Sequence, residues 1–231
     1  MNDSFIAEID ARGFTTAPFC VSPSQCDELL DELPIASRAG VRGGARLRLD
    51  EAPSLRRAAT QPGLRDFASP ILGRPAFPVH LRCLDKTGDA NWQVAWHQDV
   101  TGAVRERVDT IGFRAWSSKR GVPHVQPPVS VRERMVALRL HLDDCGDANG
   151  PLRVIPGSHK SGRLSASDIG AIRARDPEHA CVAVRGAVIV LKQVVLHASS
   201  PATKPGHRRV LHIEQACEPL PGGLKWFEQC A

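Results

Sequence analysis

The feature that most constrains the fold of this chain is the alternation of apolar and polar side chains in its later two thirds. In the segment 135–142 every second position is apolar, and Arg139 and His141 lie between those positions. A period of two indicates a β-strand with one face in the core and the other against polar surroundings. Whether Arg139 and His141 line a pocket floor or meet solvent stays open at this point. Further short strands are predicted at 77–85, 93–97, 181–184, 187–191, 194–197 and 208–215.

Helix signals are concentrated near the N-terminus. Ser22 has the position of an N-cap, Gln25 completes a capping box, and Pro34 ends the apolar pattern that follows. A second helical stretch is predicted at 62–72, and a later one at 165–175 begins with another capping box.

Helices followed by many short strands favour a mainly β fold with flanking α-helices. The expected architecture is a double-stranded β-helix, that is, a cupin-like jelly roll. We expect a single domain over 1–231, with the helical elements mostly in 1–75 and the jelly-roll core at about 76–217.

Composition limits the classes of function. The chain has 231 residues, of which 42% are hydrophobic, so it can bury a sizeable core. No apolar run reaches the roughly 18 residues of a membrane helix, and the first residues lack the pattern of a secretory signal. The sequence therefore predicts a cytoplasmic protein with no membrane partner. The net charge of +5 is spread along the chain, which disfavours nucleic-acid binding.

Seven cysteines are scattered without any CxxC pair, which argues against a disulfide framework or a zinc knuckle. Two loops are predicted as substrate elements. Arg38–Arg48 contains four arginines and favours an anionic small molecule as substrate. The proline-rich stretch at 121–128, with His124 and Gln126, is predicted to be a loop that closes over substrate.

The motif with the clearest chemical content is QVAWHQD at 93–99. On an extended segment His97 and Asp99 point to the same side, while Gln98 points away. One imidazole and one carboxylate leave a metal site incomplete. A second histidine from a distant strand would give the 2-His-1-carboxylate arrangement of non-haem Fe(II) oxygenases, and His197 is the best candidate. The motif alone also occurs by chance.

Three longer stretches resemble the phytanoyl-CoA dioxygenase-like family of Fe(II)- and 2-oxoglutarate-dependent oxygenases. They are WHQD at 96–99, HLDDCGDANGPLRVIPGSHKSGRL at 141–164 and HASSPATKPGHRR at 197–209. The opening GFTTAPFCVSPSQCDELLDEL also resembles the first strand and helix of that family, so the likeness runs over nearly the whole chain.

The resemblance implies an oxidoreductase in which His97, Asp99 and His197 hold Fe(II), with 2-oxoglutarate as cosubstrate and dioxygen as oxidant. The implied reaction is hydroxylation of a small molecule, with release of succinate and CO2. Halogenating relatives replace the carboxylate ligand with a small residue, so the presence of Asp99 argues against halogenation. His159 in the GSHK turn is not a candidate ligand, because a tight glycine turn more often fixes its own backbone.

The resemblance also implies cosubstrate residues. Arg208 follows His197 at the family's usual interval and would pair with the distal carboxylate of 2-oxoglutarate, with Ser199, Lys86 and Trp116 as further members of that pocket. Strand alternation taken alone points instead to Arg209, whose face is the more apolar. We follow the interval and predict Arg208, because a barrel that holds a metal and a dicarboxylate must be partly polar inside.

Three alternatives stay open. A zinc hydrolase could use the same three ligands with water in the fourth position. A non-catalytic jelly-roll protein could bind metal or ligand without turnover. A nucleic-acid-binding module would need the arginines gathered on one face. Neither the identity of the substrate nor the oligomeric state follows from the sequence, because substrate choice resides in loops grafted onto a shared fold.

Overall fold

The computed structural model describes residues 3–33, 45–47, 53–60, 62–119 and 121–228. The helices are α1 (Asp3–Arg12), α2 (Pro23–Glu32), α3 (Pro53–Thr60), α4 (Pro62–Leu72), α5 (Val129–Glu133) and α6 (Ala166–Arg175). The strands are β1 (Phe14–Ala17), β2 (Ala45–Leu47), β3 (Phe77–Lys86), β4 (Val94–His97), β5 (Gly102–Ala103), β6 (Arg114–Lys119), β7 (Val122–Gln126), β8 (Met135–His141), β9 (Leu152–Val154), β10 (His179–Cys181), β11 (Val188–Lys192), β12 (His197–Ser199) and β13 (Arg208–Ala216). Short 3-10 turns lie at Asp147–Asn149 and Ser158–Ser161.

The strands form three antiparallel sheets. The major sheet has the order β1-β11-β8-β13-β3-β2, the minor sheet has the order β10-β9-β12-β4, and β5-β7-β6 form a small third sheet. Because the major and minor sheets face each other, the fold is a jelly roll with flanking helices, as the sequence pattern predicts.

Alternation along β8 separates the two faces of the major sheet. Leu138 and Leu140 enter the main hydrophobic core, whereas Arg139 and His141 point to the opposite face. Helices α1 to α4 contribute to the same core and cover that face of the sheet. The buried members of this core are Ile9, Val21, Cys26, Leu29, Leu33, Leu55, Ala58, Ala59, Leu64, Leu81, Cys83, Leu138, Leu140, Leu142, Val188, Val190, Leu211 and Ile213.

Both predicted capping boxes are confirmed. The Ser22 hydroxyl accepts a hydrogen bond from the Gln25 amide at 3.2 Å, and the Gln25 side chain accepts one from the Ser22 amide at 3.0 Å. Ser165 and Asp168 make the same reciprocal pair at the start of α6. These bonds satisfy amide groups that the first turn of a helix leaves without partners. The predicted helix at 62–72 is also confirmed.

Three predictions need correction. The segment predicted as a strand at 194–197 is largely a turn, in which the Val195 amide donates to the Lys192 carbonyl, and β12 begins only at His197. The strand predicted at 181–184 ends at Cys181, with a single further bridge at Ala183. The proline-rich stretch 121–128 is mostly strand β7, because its valines are buried and the Pro123 carbonyl still accepts from the Val104 amide.

Helices α1, α3 and α5 were not anticipated by the sequence patterns above. Most of the basic segment Arg38–Arg48 lies outside the described residues, and only 45–47 are described, as β2. Among the described residues no helix could span a membrane. The described cysteines are free thiols, namely Cys20, Cys26, Cys83, Cys145, Cys181 and Cys217.

Candidate metal centre and cosubstrate pocket

The minor sheet brings the three candidate metal ligands together. His97 on β4 and His197 on β12 are direct partners across an antiparallel ladder, and their ring centroids lie 4.3 Å apart. Asp99 follows β4, with Oδ1 3.6 Å from Nε2 of His97 and Oδ2 3.5 Å from Nε2 of His197. One ligand atom from each residue lies within 4.8 Å of the others.

Backbone carbonyls fix the tautomer of both histidines. Nδ1 of His97 lies 2.8 Å from the Ala95 carbonyl oxygen, and Nδ1 of His197 lies 2.9 Å from the Val195 carbonyl oxygen. A carbonyl only accepts, so each Nδ1 carries the proton and donates it. The lone pairs of the two Nε2 atoms are therefore left for a metal, which is the outer hydrogen-bonding pattern of metal-binding histidines. This donor set fits a divalent iron ion.

Electrostatics favour the protonation states that a metal needs at His197 and Asp99, and oppose the one that it needs at His97. Burial lowers the pKa of His197 to about 3, so its imidazole is neutral at neutral pH. Burial alone would raise the pKa of Asp99, but the neighbouring histidines lower it well below its ordinary value. Burial is the largest single influence on His97 and lowers its pKa, but the Asp99 carboxylate and the Ala95 carbonyl together outweigh it, so the pKa of His97 is raised. A metal at His97 would therefore compete with a proton for Nε2.

The three residues open onto a cavity of about 140 Å³ between the major and minor sheets. That volume holds several water molecules, so a small ligand can enter. The lining comes from β3, β8 and β13 on one side and from β4, β9 and β12 on the other. It consists of Arg82, Leu84, Trp92, Val94, His97, Asp99, Arg139, His141, Leu152, His197, Ala198, Ser199, Arg208, Val210 and His212.

Arg208 lines this cavity and is 6% exposed. Its Nη1 donates to the Gly150 carbonyl, its Nε has no partner, and no described carboxylate lies within 4.0 Å of its guanidinium. Arg209 points to the other face of β13, where its Nε and Nη2 donate to the Asp143 carboxylate at 2.8 and 2.6 Å. The phase of β13 therefore places Arg208 in the cavity and Arg209 in an ion pair outside it.

Lys86 and Ser199 lie beside Arg208. Lys86 is 1% exposed, and its Nζ donates to the Ser199 hydroxyl at 3.0 Å and to the Ser200 carbonyl at 2.6 Å. Burial, together with the charge of Arg208, lowers the pKa of Lys86 to about 7. Ser199 lines the cavity directly, and Lys86 lies behind it.

The structure does not bring Trp116 to this pocket. Its ring packs against a separate hydrophobic cluster around Val79 and Phe113, with the Arg107 guanidinium 5.4 Å from the ring centroid. The reason is that β6, which carries Trp116, belongs to the small third sheet. Trp92 lines the cavity instead, 5.7 Å from the Lys86 ammonium group.

Several polar cavity residues were missed or left open by the sequence patterns. Arg139 and His141 line the cavity rather than meeting solvent, which their alternation on β8 had allowed. Arg82 and His212 were not anticipated, although each occupies the same strand face as a recognised candidate. His124 is instead buried, in edge contact with the His80 ring at 5.8 Å, and does not line the cavity.

His159, excluded above as a ligand, has a structural contact. Its Nε2 lies 3.2 Å from the Asp10 carbonyl oxygen, so it links the Ser158–Ser161 turn to α1.

Comparison with known proteins gives a consistent family. The sequence model of the phytanoyl-CoA dioxygenase (PhyH) family matches residues 9–210. The ectoine dioxygenase of Bordetella parapertussis is 28% identical over 109 residues, which cover 47% of this chain and 29% of that protein. The match thus spans less than a third of the curated relative's length.

Two solved structures illustrate the likeness in fold. The non-haem alpha-ketoglutarate-dependent carbocyclase SnoK from nogalamycin biosynthesis aligns with a TM-score of 0.71 at 14% identity, covering 97% of this chain and 96% of SnoK. EctD from S. alaskensis with bound Fe also aligns with a TM-score of 0.71, at 18% identity, covering 94% of this chain and 77% of EctD. At these identities the likeness shows the fold alone.

Proposed function

Because the chain belongs to the phytanoyl-CoA dioxygenase family, we propose that it is an Fe(II)- and 2-oxoglutarate-dependent dioxygenase that hydroxylates a small molecule. The observation that supports this most strongly is the cluster of His97, Asp99 and His197, whose ligand atoms lie within 4.8 Å at the mouth of a polar cavity. In this proposal these three residues hold Fe(II).

The iron, when bound, supplies the redox chemistry that couples oxidation of substrate by dioxygen to oxidative decarboxylation of 2-oxoglutarate to succinate and CO2. The chain supplies orientation and exclusion of water. The carbonyls of Ala95 and Val195 accept from Nδ1 of each histidine and so leave Nε2 directed at Asp99. The two sheets shield His197, which is only 3% exposed, whereas the His97 side chain is 39% exposed.

Arg208 would bind the distal carboxylate of 2-oxoglutarate. Its guanidinium is buried without a carboxylate partner among the described residues, which is costly unless a ligand supplies one. Ser199 would donate to the same carboxylate, and Lys86 would add positive charge behind it. Arg208 and Ser199 line the cavity, and Lys86 lies behind Ser199.

We further propose that the substrate is anionic. Arg139 lies close to the metal ligands, with Nη2 3.2 Å from Nε2 of His197 and 3.6 Å from Oδ2 of Asp99. A metal bound to Nε2 of His197 and Oδ2 of Asp99 would occupy the atoms that Arg139 now contacts. The Arg139 guanidinium, whose Nε has no partner in the described part of the chain, would then need an acceptor, and a carboxylate, phosphate or sulfate on the substrate would provide one.

A second cation supports the same substrate class. Arg82 lines the cavity with Nη2 2.9 Å from Nδ1 of His212 and 3.8 Å from Oε1 of Glu214, and no described residue hydrogen-bonds to its Nε. Asp99 is the one carboxylate among the described residues that line the cavity, against three arginines. This excess of positive charge remains after Arg208 is assigned to the cosubstrate.

The test is succinate formation by protein reconstituted anaerobically with Fe(II) and then given 2-oxoglutarate and air. We expect slow succinate formation without substrate and faster formation with it. Candidate substrates are offered as matched pairs that differ only in a carboxylate or its amide, and we expect stimulation by the acid form alone. Asp99→Ala protein is the control.

Each outcome separates the proposals. Absence of both 2-oxoglutarate binding and succinate formation in iron-loaded protein would favour a non-catalytic binding protein. Hydrolysis supported by Zn(II) without 2-oxoglutarate would favour the hydrolase. Stimulation by amides as strongly as by acids would remove the anionic substrate while leaving the dioxygenase intact.

A further inference from the structure

Asp99 is held in place by side chains rather than by a β-ladder. Strand β4 ends at His97, so the backbone of residues 98–99 lies outside the strand pairing that fixes the two histidines. Among the described residues the hydrogen bonds to the Asp99 carbonyl come from a single donor residue, Arg132. The position of the only carboxylate in the metal cluster thus depends on that contact.

Arg132 on α5 is 1% exposed and grips Asp99 with two donors. Its Nε and Nη2 lie 3.0 and 2.7 Å from the Asp99 carbonyl oxygen. Two donors on one oxygen fix the plane of the peptide that follows Asp99. That plane restrains the backbone of Asp99 and so limits where its Cα, from which the carboxylate extends, can lie.

The same guanidinium reaches the turn that precedes His197. Nη2 of Arg132 donates to Oε1 of Gln193 at 2.6 Å, and Nη1 lies 3.8 Å from the Glu214 carboxylate. Glu214 is 5% exposed and balances the buried charge. Arg132 therefore connects the segment that carries Asp99 to the turn that precedes His197.

Gln98 makes a second link between the same two segments. Its Nε2 donates to the Val194 carbonyl at 2.6 Å and to the Gly162 carbonyl at 2.7 Å, while its Oε1 accepts from the Leu164 amide at 2.8 Å. All the donors and acceptors of this buried amide are directed at the backbone.

We propose that Arg132, Gln98 and Gln193 are positioning residues that set the distance between Asp99 and His197 and so determine metal affinity. We name Arg132, Gln98 and Gln193 the ligand clamp. The clamp rests on the proposed metal role of Asp99 and His197. Partners behind metal ligands typically contribute about 10- to 100-fold in metal affinity. Arg132 acts through a backbone carbonyl and touches neither metal nor substrate.

The test compares metal affinity with stability in four proteins. Co(II) binding is titrated by visible absorption in the wild type, Arg132→Lys, Gln193→Ala and the matched control Arg209→Met. The control removes an ion pair with Asp143 on the opposite face of β13. We expect Arg132→Lys and Gln193→Ala to weaken Co(II) binding about 10- to 100-fold. Arg209→Met should lower the unfolding midpoint and leave the Co(II) dissociation constant within about twofold of the wild type.

Two results would overturn the clamp. The first is that Arg132→Lys and Gln193→Ala are both folded, as judged by circular dichroism, and bind Co(II) with the affinity of the wild type. The second result concerns the case in which the wild type binds no metal. That finding alone would reject the proposed function, so the clamp then needs a test that does not use metal. The crystal structure of metal-free Gln193→Ala then decides, because the clamp requires the Asp99 carboxylate to move away from the His197 imidazole, and an unmoved carboxylate rejects it.

Discussion

Lys86 and Arg208 are direct partners across the antiparallel ladder between β3 and β13, so two cations lie side by side in a buried place. Burial and the charge of Arg208 lower the pKa of Lys86 to about 7. Arg208 stays charged, since its ordinary pKa is far higher. This pair forms the positive end of the cavity, and its charge changes near neutral pH through Lys86.

We predict that 2-oxoglutarate binds several-fold more weakly as the pH rises above about 7. Deprotonation of Lys86 removes one positive charge from behind Ser199, and a dianion is then less attracted. Isothermal titration calorimetry of the Co(II) protein with 2-oxoglutarate at several pH values measures this affinity. Lys86→Met should bind weakly at every pH and lose the dependence. An unchanged pH dependence in that variant would exclude Lys86 as its source.

Lys86 should also affect stability with a defined sign. The ordinary pKa of a lysine is 10.5, and the folded value is about 7. Between these values the unfolded chain binds more protons than the folded chain, so the free energy of unfolding rises with pH. Below about pH 7 the cost of a buried charge is fully present. The free energy of unfolding is measured with urea for the metal-free wild type and for Lys86→Met. The difference, wild type minus variant, should rise by at most about 1.4 kcal/mol per pH unit. A flat difference contradicts the lowered pKa.

Replacing His97, Asp99 or His197 with alanine should abolish stoichiometric Fe(II) binding. Each change removes one of three ligands, and the remaining pair binds iron weakly. Metal content after anaerobic loading measures the effect. His207→Ala is the matched control, because the His207 side chain is 53% exposed and pairs with Asp85 away from the cluster. Full metal binding in all three alanine variants would refute the assignment.

Arg208→Ala should raise the apparent dissociation constant of 2-oxoglutarate by about two orders of magnitude or more while iron still binds. The reason is that the variant leaves a carboxylate in the cavity without its charge partner. Arg209→Ala should change the constant little, because that guanidinium is bound to Asp143 outside the cavity. The reverse result would mean that β13 is displaced by one residue, and would move every pocket residue on it.

Tryptophan fluorescence distinguishes the two aromatic candidates. Trp92 lines the cavity and Trp116 packs in a separate cluster, so binding of 2-oxoglutarate should change the emission of Trp92 alone. Trp92→Phe should lose the fluorescence change on titration, and Trp116→Phe should keep it. Loss of the change in Trp116→Phe would restore that residue to the pocket.

The sequence by itself determined the elements whose signals are local. The period of two in β8 fixed which side chains share a face, and the capping boxes at Ser22 and Ser165 fixed two helix starts, because both depend on residues a few positions apart. His97 and Asp99 could be paired for the same reason. His197 was inferred as the second histidine of a 2-His-1-carboxylate site and from the resemblance of 197–209 to the dioxygenase family.

The tertiary structure alone decided which strands face one another across the cavity. Contacts between residues distant in the chain decide the phase of β13 and place Trp92 and Arg82, but not Trp116, at the cavity. They also decide the hydrogen bonds from Arg132 to Asp99. Strand alternation gives two faces without saying which one turns inward. That choice is made by packing, since the apolar face of the major sheet is buried under the helices and its polar face is left to the cavity.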